Sequence, residues 1–171
     1  TNNLADAPNM SVRLGSSDVL ESPTNILNDY GSCITGWLVA PVTGDYTFWI
    51  ASDDNGQLWL SADQDEANKV MIAHVPGWTS SREWGKFPAD QQSGVIPLIA
   101  GQEYYLEALM KEGGGGDNLA IAWQYPGQVQ QVIPASNMRM AASQPPAPTT
   151  PSPTNAPTSP PTTGQVGLIS F

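Results

Sequence analysis

Asp45-Tyr-Thr-Phe-Trp-Ile-Ala-Ser-Asp-Asp-Asn-Gly-Gln-Leu-Trp-Leu60 is the stretch on which the reading of this chain turns. Tyr46, Phe48 and Ile50 alternate with Asp45, Thr47 and Trp49, the period of a strand with one buried face. Leu58 and Leu60 resume the alternation after Ser52-Asp-Asp-Asn-Gly56. Asn-Gly between two alternating runs predicts a β-hairpin. The expected product is two core strands presenting a turn on which Asp53, Asp54 and Asn55 stand together. Oxygen-bearing side chains on a fixed turn suit a hard cation such as calcium. Asp and Asn also occupy turns for a purely local reason, since they bond their own backbone and tolerate left-handed geometry. Both readings stand at this point.

Outward from that stretch the same grammar repeats. Ser32 to Ala40 reads as a strand ending at Pro41, and Thr43-Gly44 turns the chain into the central run. Lys69 to Val75 is a further strand beyond the acidic loop Asp63-Gln-Asp-Glu66. Pro76 to Pro88 is a loop carrying Trp78, Arg82 and Trp84. Val95 to Ile99 is a short strand. In Tyr104 to Lys111, the side chains of Tyr104, Leu106, Ala108 and Met110 share one face. A glycine run, Gly113 to Gly116, leads through Asp117-Asn118 into the alternating Leu119, Ile121 and Trp123. Val129 to Ile133 forms a last edge segment ahead of Pro134. Residues 1–30 are polar and irregular, with no convincing strand. Many short strands and almost no helical periodicity predict an all-β, antiparallel β-sandwich.

Composition narrows the function classes. The 171 residues hold 16 acidic and 6 basic side chains, a net charge of −10. Nucleic acid and anionic membrane surfaces are therefore poor partners. No apolar run approaches the length of a membrane span, and no leader-like segment opens the chain, as expected of a mature, processed protein. Cys33 is the sole cysteine, which excludes an internal disulfide framework and a cysteine-rich zinc site. A buried, inert thiol is the expectation for it. His74, the sole histidine, has no nucleophile motif beside it and reads as structural. No nucleophile elbow, phosphate loop or zinc set is present. Asp53 and Asp54 are sequence neighbours, too constrained to flank one scissile glycosidic bond. A non-enzymatic protein is expected.

At Ser143 the composition changes. Residues 1–142 form the predicted sandwich, and 143–163 a linker of Pro, Thr, Ser and Ala that favours extended polyproline II. Such tracts are candidates for O-glycosylation outside the cell, and Asn9-Met10-Ser11 is a formal N-glycosylation triplet. Residues 164–171 turn apolar again, with Val166, Leu168, Ile169 and Phe171 reading as a β-strand that needs a partner sheet.

These motifs together resemble the PA-14 (protective-antigen) domain family, a β-sandwich of adhesins, toxins and carbohydrate-active enzymes. The resemblance is carried by Thr35-Gly-Trp-Leu-Val-Ala-Pro41, by Thr43 to Ser61 with its Ser-Asp-Asp-Asn-Gly core, by Val75-Pro-Gly-Trp-Thr-Ser-Ser-Arg-Glu-Trp84, and by Ala100 to Trp123. It implies that Asp53 and Asp54 match the pair of aspartates, joined by a cis peptide, that holds calcium in sugar-binding members. An Asn from another loop assists there, and the calcium ligates sugar hydroxyls. Asn118, with Asp117, is the candidate for that second loop, and carbonyls of Gly113 to Gly116 could complete the shell. Trp78 and Trp84 are candidate ring platforms, or else pins that hold their loop to the core. Arg82 is a further ligand candidate, or a partner for a carboxylate such as Glu107.

The resemblance has one gap. Family members open with an apolar strand that residues 1–30 lack. Val166 to Phe171 has the character of that strand. It completes the sandwich of the next identical unit, giving a head-to-tail fibre, or it folds back on its own domain; a linker of about twenty extended residues reaches roughly 60 Å and permits either. The expected protein is an extracellular or cell-surface fibre or adhesin unit with calcium and glycans as ligands. The alternative is a monomeric carbohydrate-binding module tethered to an enzyme or adhesin.

Overall fold

A computed structural model describes residues 19–139. The linker 143–163, the strand 164–171 with its assembly residues, and the triplet at Asn9 lie outside the described residues.

Among the described residues, nine strands build two antiparallel sheets. They are β1 (Tyr30–Val39), β2 (Gly44–Asp53), β3 (Asn55–Leu60), β4 (Val70–Val75), β5 (Ile96–Leu98), β6 (Glu103–Glu112), β7 (Asn118–Tyr125), β8 (Gln128–Val132) and β9 (Met138–Arg139). One sheet runs β4-β3-β6-β1-β9 and the other β5-β2-β7-β8. Apart from two single-turn 3-10 segments, no helix is present among the described residues. The predicted all-β sandwich is what the chain forms.

The core is made by the alternating rows. Tyr46, Phe48 and Ile50 of β2 and Leu119, Ile121 and Trp123 of β7 face Leu58 and Leu60 of β3 and Leu106, Ala108 and Met110 of β6, all buried. Each fully buried large apolar side chain stabilises the fold by about 1.5–3 kcal/mol relative to exposure. Trp123 is the centre of an aromatic group, its ring centroid 5.6 Å from Tyr46 and 5.0 Å from Tyr125.

The predicted hairpin is not what forms. β2 pairs with β5 and β7, whereas β3 pairs with β4 and β6, so the chain changes sheets at Asp54. Alternation reports which face of a strand is buried and not which strand lies beside it. Two strands facing each other across a sandwich carry the same pattern as two strands of a hairpin. Gly56 makes the crossing possible: a Cβ there would lie 2.7 Å from Ser52 Cβ and 3.2 Å from Ile50 Cδ1.

Residues before Tyr30 contribute more than the sequence suggests. Val19 bridges Pro134, Glu21 bridges Ala120, and Leu20 is fully buried. Leu20 N–H donates to Ile133 O (2.8 Å), and its carbonyl accepts from Ile121 N–H (3.1 Å). Single bridges of this kind carry no periodicity, so the sequence pattern passes over them.

Candidate functional site: four strand ends

The sheet change at Asp54 brings ends of strands from both sheets together. Asp53 closes β2 and sits opposite Asn118, the first residue of β7. Asn55 opens β3 opposite Lys111, next to Glu112 at the end of β6. One carboxylate oxygen from each of Asp53, Asp54 and Glu112 lies within 4.8 Å of the others. The peptide bond joining Asp53 to Asp54 is cis.

Neighbouring backbone fixes this tip. Ser52 N–H donates to Thr79 Oγ1 (2.9 Å), Thr79 N–H donates to Ser52 O (2.7 Å), and the Ser52 hydroxyl donates to the Asp54 carbonyl. The glycine run closes over the aspartates. Gly113 N–H donates to Asp54 Oδ2 at 3.0 Å, and a Cβ on Gly116 would stand 3.7 Å from Asp53 Oδ2.

Electrostatically the tip is under-compensated. Burial, then the Asp54 charge beside it, raises the Asp53 carboxyl above its ordinary range, and Lys86 opposes this only in part. Glu112 is fully buried, and neither of its oxygens has a hydrogen-bond partner among the described residues. Burial raises its pKa most, followed by the charges of Asp54, Asp53 and Asp117; the Gly114 amide offsets part of the rise.

The other sequence candidates fall into place unequally. Asn118 is buried, donates its amide to Thr79 O (2.8 Å), and leaves Oδ1 buried with no partner among the described residues. Asp117 stands outside the group of three: its Oδ2 accepts from the backbone N–H groups of Ile26 (2.6 Å) and Leu27 (3.1 Å). It therefore fastens the N-terminal segment, with Oδ1 buried and unpartnered among the described residues. Trp78 is half exposed, with Lys86 Nζ 2.9 Å from its ring centroid, so one ring face is covered by an ammonium. Trp84 is partly buried. Arg82 grips Glu21 through two 2.8 Å bonds and does not pair with Glu107, whose partner is Lys69 at 2.8 Å. The irregular segment before Tyr30 places Glu21 next to the loop, which the sequence pattern had no means of indicating. His74 Nε2 lies 3.8 Å from Asp90 Oδ1, away from the tip residues. Cys33 is half-buried in β1, and burial, then Glu107, pushes its thiol up to about 11.

The donor set suits a hard cation. Carboxylate and amide oxygens predominate, and buried oxygens without partners are groups for which water-free burial is costly unless something else engages them. Asp53, Asp54, Glu112 and Asn118 are the residues that fit such an ion. Sequence reasoning missed Glu112, although its signal was present. The inward row Tyr104, Leu106, Ala108, Met110 reaches Glu112 at its next step.

The profile of the PA14 domain matches residues 10–137. The chain belongs to the PA14 domain family. Among relatives, the N-acetyl-beta-glucosaminyl-glycoprotein 4-beta-N-acetylgalactosaminyltransferase 1 of Mus musculus is 33% identical over 119 residues, 66% of this chain and 11% of the relative. Fibrocystin of Canis lupus familiaris is 35% identical over 83 residues, 44% of this chain and 2% of that protein. The chain thus spans a small part of either relative. In fold, the PA14 domain here is similar to the A domain of epithelial adhesin 6 from Candida glabrata, solved in complex with Galb1-3GlcNAc. The TM-score is 0.52 at 17% identity, over 66% of this chain and 51% of that one.

Proposed function

We propose that this PA14 domain is a non-enzymatic, extracellular carbohydrate-binding module whose tip holds a calcium ion. The observation that carries the reading is the convergence of Asp53, Asp54 and Glu112 oxygens within 4.8 Å, beside the unpartnered Oδ1 of Asn118. Calcium held there supplies open coordination positions to the vicinal hydroxyls of a sugar. The chain's own residues set the geometry around it. Asp53 and Asp54 are partly buried and line the outer side, whereas Glu112 and Asn118 are buried behind them. Thr79 ties the Trp78 loop to the tip through Ser52 and Asn118, so Trp78 and Lys86 form a rim on that side. An aromatic face with a cation over it suits a polar or acidic sugar better than an apolar ring face. The similarity in fold to an adhesin domain crystallised with a disaccharide supports the direction of this reading. The transferase activity in the mouse relative's name belongs to a chain of which this one spans 11%.

The finer proposal concerns assembly. Val166, Leu168, Ile169 and Phe171 form a strand that joins identical units head to tail in a surface fibre. The test of the tip is a glycan array with and without chelator, using wild-type and Asp53→Ala protein. Saturable binding that disappears with chelator and with the variant is expected; binding indifferent to both refutes the calcium-dependent reading. Assembly is tested by electron microscopy of the chain with and without residues 164–171, polymers being expected only with them. Dispersed particles from the full chain favour the monomeric, tethered module.

A further inference from the structure

We propose that Glu112 is a third protein carboxylate on the cation held by Asp53 and Asp54, and that it makes the stability of the domain conditional on that cation. The assignment rests on the calcium reading above and deepens it.

A fully buried carboxylate ordinarily meets a basic side chain, several N–H donors, or a hydroxyl. Glu112 meets no basic side chain, and the Gly114 amide is the one donor that acts on it. Neither oxygen makes a hydrogen bond of ordinary geometry among the described residues. Each charged side chain that acts on it is negative: Asp54, Asp53 and Asp117. Lys86, which partly offsets the charge at Asp53, has no counterpart at Glu112. Tyr30 lies opposite Glu112 in the β1–β6 register, but the carboxylate that acts most on its hydroxyl is Asp117, ahead of Glu112. The fold therefore places an acid at the end of an apolar row and sets only the Gly114 amide against its charge.

Distance supplies the second argument. Oxygens bound to one calcium at about 2.3–2.6 Å lie at most roughly 5 Å apart. The 4.8 Å limit that contains the Asp53, Asp54 and Glu112 oxygens falls inside that range. Glu112 approaches from the buried side, being fully inaccessible, whereas both aspartates keep some exposure. A cation seated there is closed off by Glu112 on the interior side and stays accessible on the other. Three carboxylates bind a divalent ion more tightly than two, since ligand charge tunes affinity. Without an ion the same charges repel one another inside the fold.

The experiment uses the full chain stripped with chelator. Calcium chloride is titrated by calorimetry, and thermal unfolding is followed with and without calcium. Glu112→Gln is expected to weaken calcium binding about tenfold or more while raising the melting temperature of the stripped protein. Glu112→Asp keeps the charge and retracts it by one methylene, so calcium weakens with no gain in the stripped state; this variant keeps the test decisive if the glutamine form fails to fold. Unchanged calcium affinity in both variants, with binding lost in Asp53→Ala, overturns the role of Glu112 and leaves the calcium site standing. A stripped Glu112→Gln protein no more stable than wild type overturns the conditional stability. Wild-type protein that takes up no calcium at millimolar concentration overturns the calcium reading, and this assignment with it.

Discussion

Strand β6 carries Glu107 and Glu112 five positions apart on opposite faces, and the fold treats the two in opposite ways. Glu107 points outward. Its carboxylate accepts from Lys69 Nζ at 2.8 Å and from the Tyr105 hydroxyl at 3.1 Å, and that hydroxyl's pKa is raised by burial and by this neighbour. Glu112 points inward and receives nothing of the kind among the described residues. One charge is neutralised by the chain itself and needs no outside ligand. The other meets no basic side chain, and only the Gly114 amide works against its charge. The same residue type on one strand thus separates a structural ion pair from the proposed cation site, and partnership rather than burial makes the distinction.

The comparison can be broken most forcefully at the tip. Calcium at about a hundred times its dissociation constant should stabilise the wild-type protein by about 2.7 kcal/mol. Scanning calorimetry should register this as a melting shift of several degrees that is absent in Asp53→Ala. Glu107→Gln should leave that shift intact. Replacing Lys69 with Met should cost about 1–3 kcal/mol, because it strands a mostly buried carboxylate. Urea unfolding of Lys69→Met, Glu107→Gln and the double variant should show the double recovering part of the loss, with calcium affinity unchanged in all three. Arg82→Ala should cost at most about 1 kcal/mol, since its pair with Glu21 is largely solvated on the arginine side. The smallest effect is expected at Cys33. Removing the Glu107 charge lowers a thiol otherwise pushed up to about 11. Iodoacetamide should therefore react roughly two to five times faster at pH 8, whereas Glu112→Gln should leave the rate unchanged.

Much of this architecture could be read from the chain, for a physical reason. Strands that bury one face advertise it every second residue, and Tyr46, Phe48, Ile50, Leu106, Ala108 and Met110 all occupy the core. The acidic turn could also be read, because two adjacent aspartates and a glycine run are local features. Pairing partners could not. Asp45 to Leu60 gives one pattern for a hairpin and for a crossing between sheets, and only the approach of Gly56 to Ser52 distinguishes them. Glu112 escaped for a related reason: an acid ending an apolar row looks like the end of the strand. Its meaning depends on Asp53 and Asp54, which are distant in sequence and adjacent only after the sheets close. Arg82 found Glu21 and not Glu107 because single bridges at Val19 and Glu21 bring the N-terminal segment to the loop.

The adjacent residues Asp117 and Asn118 also give the domain a mechanical character. Residues 20–25 run antiparallel beside β7, held by Ile121 N–H to Leu20 O, Ser22 N–H to Leu119 O and Asn25 N–H to Asp117 O. The Asp117 carboxylate then clasps Ile26 and Leu27. A pull on the chain ahead of Val19, directed along β7, loads these bonds together in shear, and the last anchor in the series is Asp117. One peptide bond further on, Asn118 faces Asp53. Tension entering from the N-terminal side thus ends at Asp117, one residue short of the strand pair that carries Asp53.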